Sequence, residues 1–114
     1  MKLIRSATEQ KTFDELVELQ RVVSEHVHHR NLLRTLRSSF DDDVSFIALS
    51  FFPDGGDDFL ELLVNTNMVV ELDVPTTADG DVTITKQTPL KDYLVGKRRS
   101  QQIRLAVAGD IPKN

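Results

Sequence analysis

Three histidines fall within four residues, His26, His28 and His29, and on a helix His26 with His29, or Glu25 with His29, would share a face at a spacing used by metal sites. The zincin pattern needs two histidines four apart with a glutamate between them, and that is missing. The group therefore reads as a polar helix face, built from the residue type best suited to pH sensing. Acidic residues cluster at Asp41-Asp42-Asp43, Asp54, Asp57-Asp58, Asp79 and Asp81. Oxygen ligands of this kind suit Ca²⁺ or Mg²⁺, but the alternating acids and terminal glutamate of an EF-hand loop are missing, so solubility and edge protection are the expected roles. No metal and no cofactor is assigned.

Arg30, Arg34 and Arg37 follow at i, i+4 and i+7 and share a helix face, and Lys97, Arg98 and Arg99 with Arg104 form a second basic group. Guanidinium groups in such numbers grip phosphate or an acidic protein surface. Nucleic-acid modules usually add aromatic or glycine-rich readout and a basic total, whereas this chain has one Tyr, no Trp and a net charge of −4. The sequence dictates no nucleophile with its base, no poised carboxylate pair and no Gly-Xaa-Ser-Xaa-Gly turn, so no catalytic residue is assigned. With no Cys in the chain, thiolate chemistry, disulfides and Cys-type metal sites are excluded.

Charge is sorted along the chain. Residues 1–37 sum to +2, residues 38–85 carry eleven acidic and no basic side chains, and residues 86–114 sum to +5. Either the basic segments fold over the acidic middle, or a partner of complementary sign binds. The candidate partner-binding residues are therefore Arg30, Arg34, Arg37, Asp54, Asp57, Asp58, Lys97, Arg98 and Arg99.

The elements that must carry these groups follow from hydrophobic period. Phe13, Leu16, Val17, Leu19, Val23 and Val27 recur at helical spacing after Thr8 or Thr12 as N-cap, and Leu32, Leu33, Leu36 and Phe40 continue on a different face. This predicts a helical region over 8–40, either one long helix with a bend at 28–31 or two helices. Val44 to Phe52 is an uncharged β-branched and aromatic run, and Phe59–Val64, Met68–Val74 and Asp81–Lys86 follow, separated by turn residues. Short turns require antiparallel pairing, so 44–86 is a four-stranded meander. Thr88-Pro89 opens a short helix ending at Gly96. Alternation of Ile103, Leu105 and Val107 with Arg104, Ala106 and Ala108 predicts a last strand, with a helix as the alternative, before a loose tail over 109–114.

The expected fold is thus a single α+β domain over 1–114: a long N-terminal helix on a four- to five-stranded antiparallel meander, with a short C-terminal helix. Its element order is similar to cystatin-like and secretion-chaperone-like arrangements, a likeness of order alone that implies no function. Met1–Ser6 is basic without a following apolar stretch, and no run approaches the roughly 18 apolar residues of a membrane span, so a cytoplasmic location off the membrane is expected.

The first strand is apolar on both faces: Phe46, Ala48 and Phe52 on one, Ile47, Leu49 and Phe51 on the other. One helix hides one face. The other needs the C-terminal helix, the second half of the helical region, or another chain, which makes a two-fold homodimer an open expectation. The functional expectation is a small non-enzymatic protein-binding or regulatory protein acting by surface complementarity, as an immunity, anti-defence, chaperone-like or assembly factor. The alternatives are a ligand-binding or enzymatic domain with its pocket between helix and sheet, and nucleic-acid binding through the arginine face.

Overall fold

The computed structural model describes residues 7–26, 29–75 and 81–109. Its elements are α1 (Ala7–His26), α2 (His29–Ser39), β1 (Phe46–Asp54), β2 (Asp57–Val64), β3 (Met68–Pro75), β4 (Thr83–Pro89), α3 (Leu90–Tyr93) and α4 (Arg99–Ala108). The four strands form one antiparallel sheet in the order β1-β2-β3-β4. Helical segments lie on either side of residues 27–28, and the bend expected over 28–31 falls partly outside the described residues.

One expected element is of another type. Residues 103–108 are helical, so the sheet has four strands and no fifth, and α4 takes the place of the predicted last strand. Six residues of alternation fit both periods. Ser100, Gln101 and Gln102 extend the segment by a turn, and Leu105 with Ala108 supplies a buried i, i+3 pair. At the start of α4 the Arg98 backbone N–H donates to Gln101 Oε1 at 3.3 Å.

The sheet separates two apolar layers. On its first face Phe46, Ala48, Leu62, Val64, Val70 and Leu72 pack with Val23 of α1 and with Leu32 and Leu36 of α2. On its second face Ile47, Leu49, Leu63 and Val69 pack with Leu16 of α1 and with Leu105, Val107 and Ala108 of α4, with Leu90, Tyr93 and Leu94 at the margin. The second half of the helical region therefore covers one face, and the C-terminal helices cover part of the other.

Helix α1 packs on β1 and on α4, and its Leu16 and Val23 belong to different layers. It closes the β1 edge of the sheet. Gln20, within the apolar stripe, substitutes for a neighbouring strand: its Nε2 donates to the Phe46 carbonyl at 3.3 Å, and the Ala48 N–H donates to its Oε1 at 2.9 Å. An edge strand left with free donors and acceptors invites pairing with other chains, and here a side-chain amide takes one carbonyl and one N–H of that edge.

Two bulges shift the sheet's phase. Ala48 pairs with Leu62 but Ser50 with Glu61, leaving Leu49 unpaired, and Glu71 pairs with Lys86 but Leu72 with Ile84, leaving Thr85 unpaired. The expected faces of β1 are correct up to Leu49 and reversed beyond it. Phe51 turns to the first layer, and Phe52 pairs with Phe59 on the second face. An inserted residue breaks strict alternation. The loop expected over 53–58 shrinks to Gly55-Gly56, where Gly55 adopts φ +68°.

Candidate partner-binding surface

On the second face the side chains lie in cross-strand rows. The innermost row, Ile47, Leu63, Val69 and Thr88, is the one packed under the helices. The next is Ser50, Glu61, Glu71 and Lys86, followed by Phe52, Phe59, Asp73 and Thr83, and then by Asp54, Asp57 and Pro75 at the β1–β2 tip. The helices stop short of the aromatic row: Phe52 is 62% exposed and Phe59 38%. Each central strand thus changes along one face from buried aliphatic residue to carboxylate.

Two adjoining clefts occupy this boundary. One of about 290 Å³ lies against α3 and α4 and is lined by Leu49, Ser50, Glu61, Tyr93, Gln101, Arg104 and Leu105. The other, of about 180 Å³, runs outward between Ser50, Phe52, Phe59, Glu61, Glu71 and Thr85. They share Ser50 and Glu61, so Glu61 stands where the helix-covered and open halves meet.

Hydrogen bonds set the groups around it. Tyr93 Oη donates to Glu61 Oε2 at 2.8 Å, and Lys97 Nζ lies 4.4 Å from the centre of the Tyr93 ring. The Arg104 guanidinium donates through Nε (3.2 Å) and Nη2 to the carbonyl of Leu49, the bulged residue. Burial pushes the Tyr93 phenol well above its ordinary range, the bond to Glu61 and the charges of Glu61 and Glu71 push the same way, and Arg104 opposes them weakly. Tyr93 is therefore a fixed donor at neutral pH. Asp73 Oδ1 is buried without a hydrogen-bond partner, and burial followed by the neighbouring charge of Asp57 raises that carboxyl. Glu61 and Glu71 are directly opposite on adjacent strands, at the Cβ separation of roughly 5 Å where like charges repel. This part of the face is thus predominantly acidic, with Lys86 opposite Glu71 as the cation of that row.

The candidate residues read from the sequence are brought together only in part. Arg30, Arg34 and Arg37 do share one surface, lining a cleft of about 360 Å³ with Ser38 and Asp42, and Arg34 Nη2 donates to Asn31 Oδ1 at 2.8 Å. Lys97 sits on Tyr93, while Arg98 and Arg99 form the junction entering α4. Because α2 packs on the first face and α3 and α4 on the second, the two basic groups lie on opposite faces and make no common grip. Among the described residues no ion pair joins either group to the acidic middle; the recorded pairs are Arg21 with Glu18 and Glu25, within α1. Asp54 and Asp57 face each other at the hairpin tip, whereas Asp58 points to the first face and is 9% exposed.

His28 and the side chains of His26 and His29 lie outside the described residues, as does Asp79. Among the described residues no group of three metal-ligating side chains is close enough to hold an ion, and no helix is long and apolar enough to cross a membrane. The site residues that sequence reasoning missed are Phe52, Phe59, Glu61, Glu71 and Tyr93. Its available signal was a lone glutamate inside each of two apolar strands. No family model, curated protein or solved structure matches this chain.

Proposed function

We propose that this chain is a non-enzymatic binding protein that presents the open half of its second sheet face to a basic protein surface. The observation that carries this reading is the exposed cross-strand pair Phe52–Phe59, bordered on the same face by Asp54, Asp57, Glu61, Glu71 and Asp73 and by one cation, Lys86. Aromatic side chains supply much of the energy of protein interfaces, and a rim of one charge sign speeds encounter and selects the partner. The cytoplasm is the compartment we assign, and a chain without Cys fits that reducing environment.

The test is differential capture from nuclease-treated native lysate at low salt, using the wild-type chain and a Phe52→Ser/Phe59→Ser variant as baits. The reading requires a protein with a basic surface that the wild type retains and the variant loses. Identical captured sets on both baits refute it; capture of a second copy of the chain, lost in the variant, would show that a homodimer occupies the face instead. A second reading is supported by the Arg30, Arg34 and Arg37 cleft, whose donors suit phosphate. It requires nucleic-acid affinity that falls steeply with salt and is lost when all three become Ala.

A further inference from the structure

Resting on the proposed binding face, we infer that its partner is anchored by an arginine, whose guanidinium lies on the Phe52–Phe59 shelf and pairs with the carboxylates of Glu61 and Glu71. The cleft joining these four residues is walled on its aromatic side by side chains that offer π-faces and no hydrogen bonds. Its other side holds two acidic side chains from directly opposite positions of β2 and β3. A guanidinium is planar, weakly hydrated and carries forked donors, so it stacks on aromatic rings while bonding carboxylates at its edge. A lysine ammonium is a compact, strongly hydrated charge and gains less from such a shelf. A hard metal ion needs six or more oxygen ligands, and phenylalanine supplies none.

Two neighbouring cations of this chain are already engaged, and Lys86, opposite Glu71 in the same row, makes no ion pair among the described residues and leaves Glu61 for a partner's charge. Arg104 is bonded to the Leu49 carbonyl, and Lys97 lies over the Tyr93 ring. Tyr93 in turn holds Glu61 through Oε2, leaving Oε1 without a donor among the described residues. Both bulges flank this same row, at Leu49 beside Ser50 and at Thr85 beside Lys86, in the manner of bulges that border binding sites. Two like charges held side by side are relieved by one shared counter-charge, and a bridging guanidinium supplies it.

Fluorescence anisotropy with two labelled peptides of equal length and charge, one alternating Gly with Arg and one alternating Gly with Lys, tests the inference at low and at physiological salt. The arginine peptide should bind about tenfold more tightly. Phe52→Ala/Phe59→Ala should abolish that preference while leaving weak, salt-sensitive attraction for both peptides, and Glu61→Gln/Glu71→Gln should weaken both. Circular dichroism checks that each variant is folded, and Phe52→Ala alone replaces the double variant if that one is not. Equal affinity of the two peptides, or a preference that survives loss of the phenylalanines, overturns the arginine anchor and leaves the basic-partner reading standing. Failure of both peptides to bind at low salt overturns the arginine anchor and the basic-partner reading together.

Discussion

Replacing Gln20 by Met tests how much its two bonds to the β1 edge contribute to stability. Gln20→Met keeps the length and stem of the side chain and removes both bonds, from Nε2 to the Phe46 carbonyl and from the Ala48 N–H to Oε1. A net hydrogen bond contributes about 0.5–1.5 kcal/mol, and the longer 3.3 Å contact belongs at the low end. The Ala48 bond counts for more: Ala48 is fully buried, and an N–H left without an acceptor there costs about 1–3 kcal/mol. Greater apolar burial of Met offsets less than about 1 kcal/mol of this. The expected loss is about 2 kcal/mol, from a total of roughly 6–17 kcal/mol for a chain of this length. Melting should fall by about 8 °C. Urea unfolding should show a lower midpoint with an unchanged slope, and the variant should aggregate more readily through its open edge. A loss below about 0.5 kcal/mol refutes the argument, because it would mean that water serves the β1 edge as well as Gln20 does.

Leu62→Ala and Leu63→Ala remove adjacent side chains that point to opposite layers, and each should cost about 2–5 kcal/mol by denaturant unfolding; a silent Leu63→Ala would contradict the covered inner row of the second face. Tyr93→Phe should cost about 1 kcal/mol at neutral pH, the bond to Glu61 being partly solvent-screened. Because the folded phenol titrates above the ordinary value near ~10, the unfolded chain loses its proton first, so wild-type stability should fall as pH rises past ~10 and Tyr93→Phe should flatten that fall. Tyr93 is the only tyrosine, so its ultraviolet titration reads this group alone, and an unshifted midpoint would contradict the burial beside Glu61. Thr66 is β-branched at φ +64° in the β2–β3 turn, and Thr66→Gly should stabilise the fold by about 0.5–1 kcal/mol after the entropy of glycine is subtracted; calorimetry showing destabilisation would contradict strain there.

The α+β class and the four-strand meander were legible because they depend on local period. Met68–Val74 alternates, Asn65-Thr66-Asn67 and Gly55-Gly56 turn the chain, and antiparallel pairing follows from their shortness. The surplus of apolar surface on the first strand was legible for the same reason. Alternation over 103–108 suggests a strand where the chain forms a helix, because six residues do not separate a period of 2 from one of 3.6. The faces of Phe51 and Phe52 escaped because the bulge at Leu49 is stabilised from outside its strand, by Arg104, 55 residues away.

The sequence by itself determined which residues form helices and strands over most of the chain, that both sides of the first strand are apolar, and that charge is segregated. Neighbours along the chain decide those matters through period, turn chemistry and composition. Only the tertiary structure decided that the helical region and the C-terminal helices take different sides of the sheet, that the two basic groups are thereby parted, and that the helices stop one row short of Phe52 and Phe59. Those outcomes depend on register and on contacts between residues far apart in the chain, such as Gln20 with Ala48 and Tyr93 with Glu61, which no local pattern encodes.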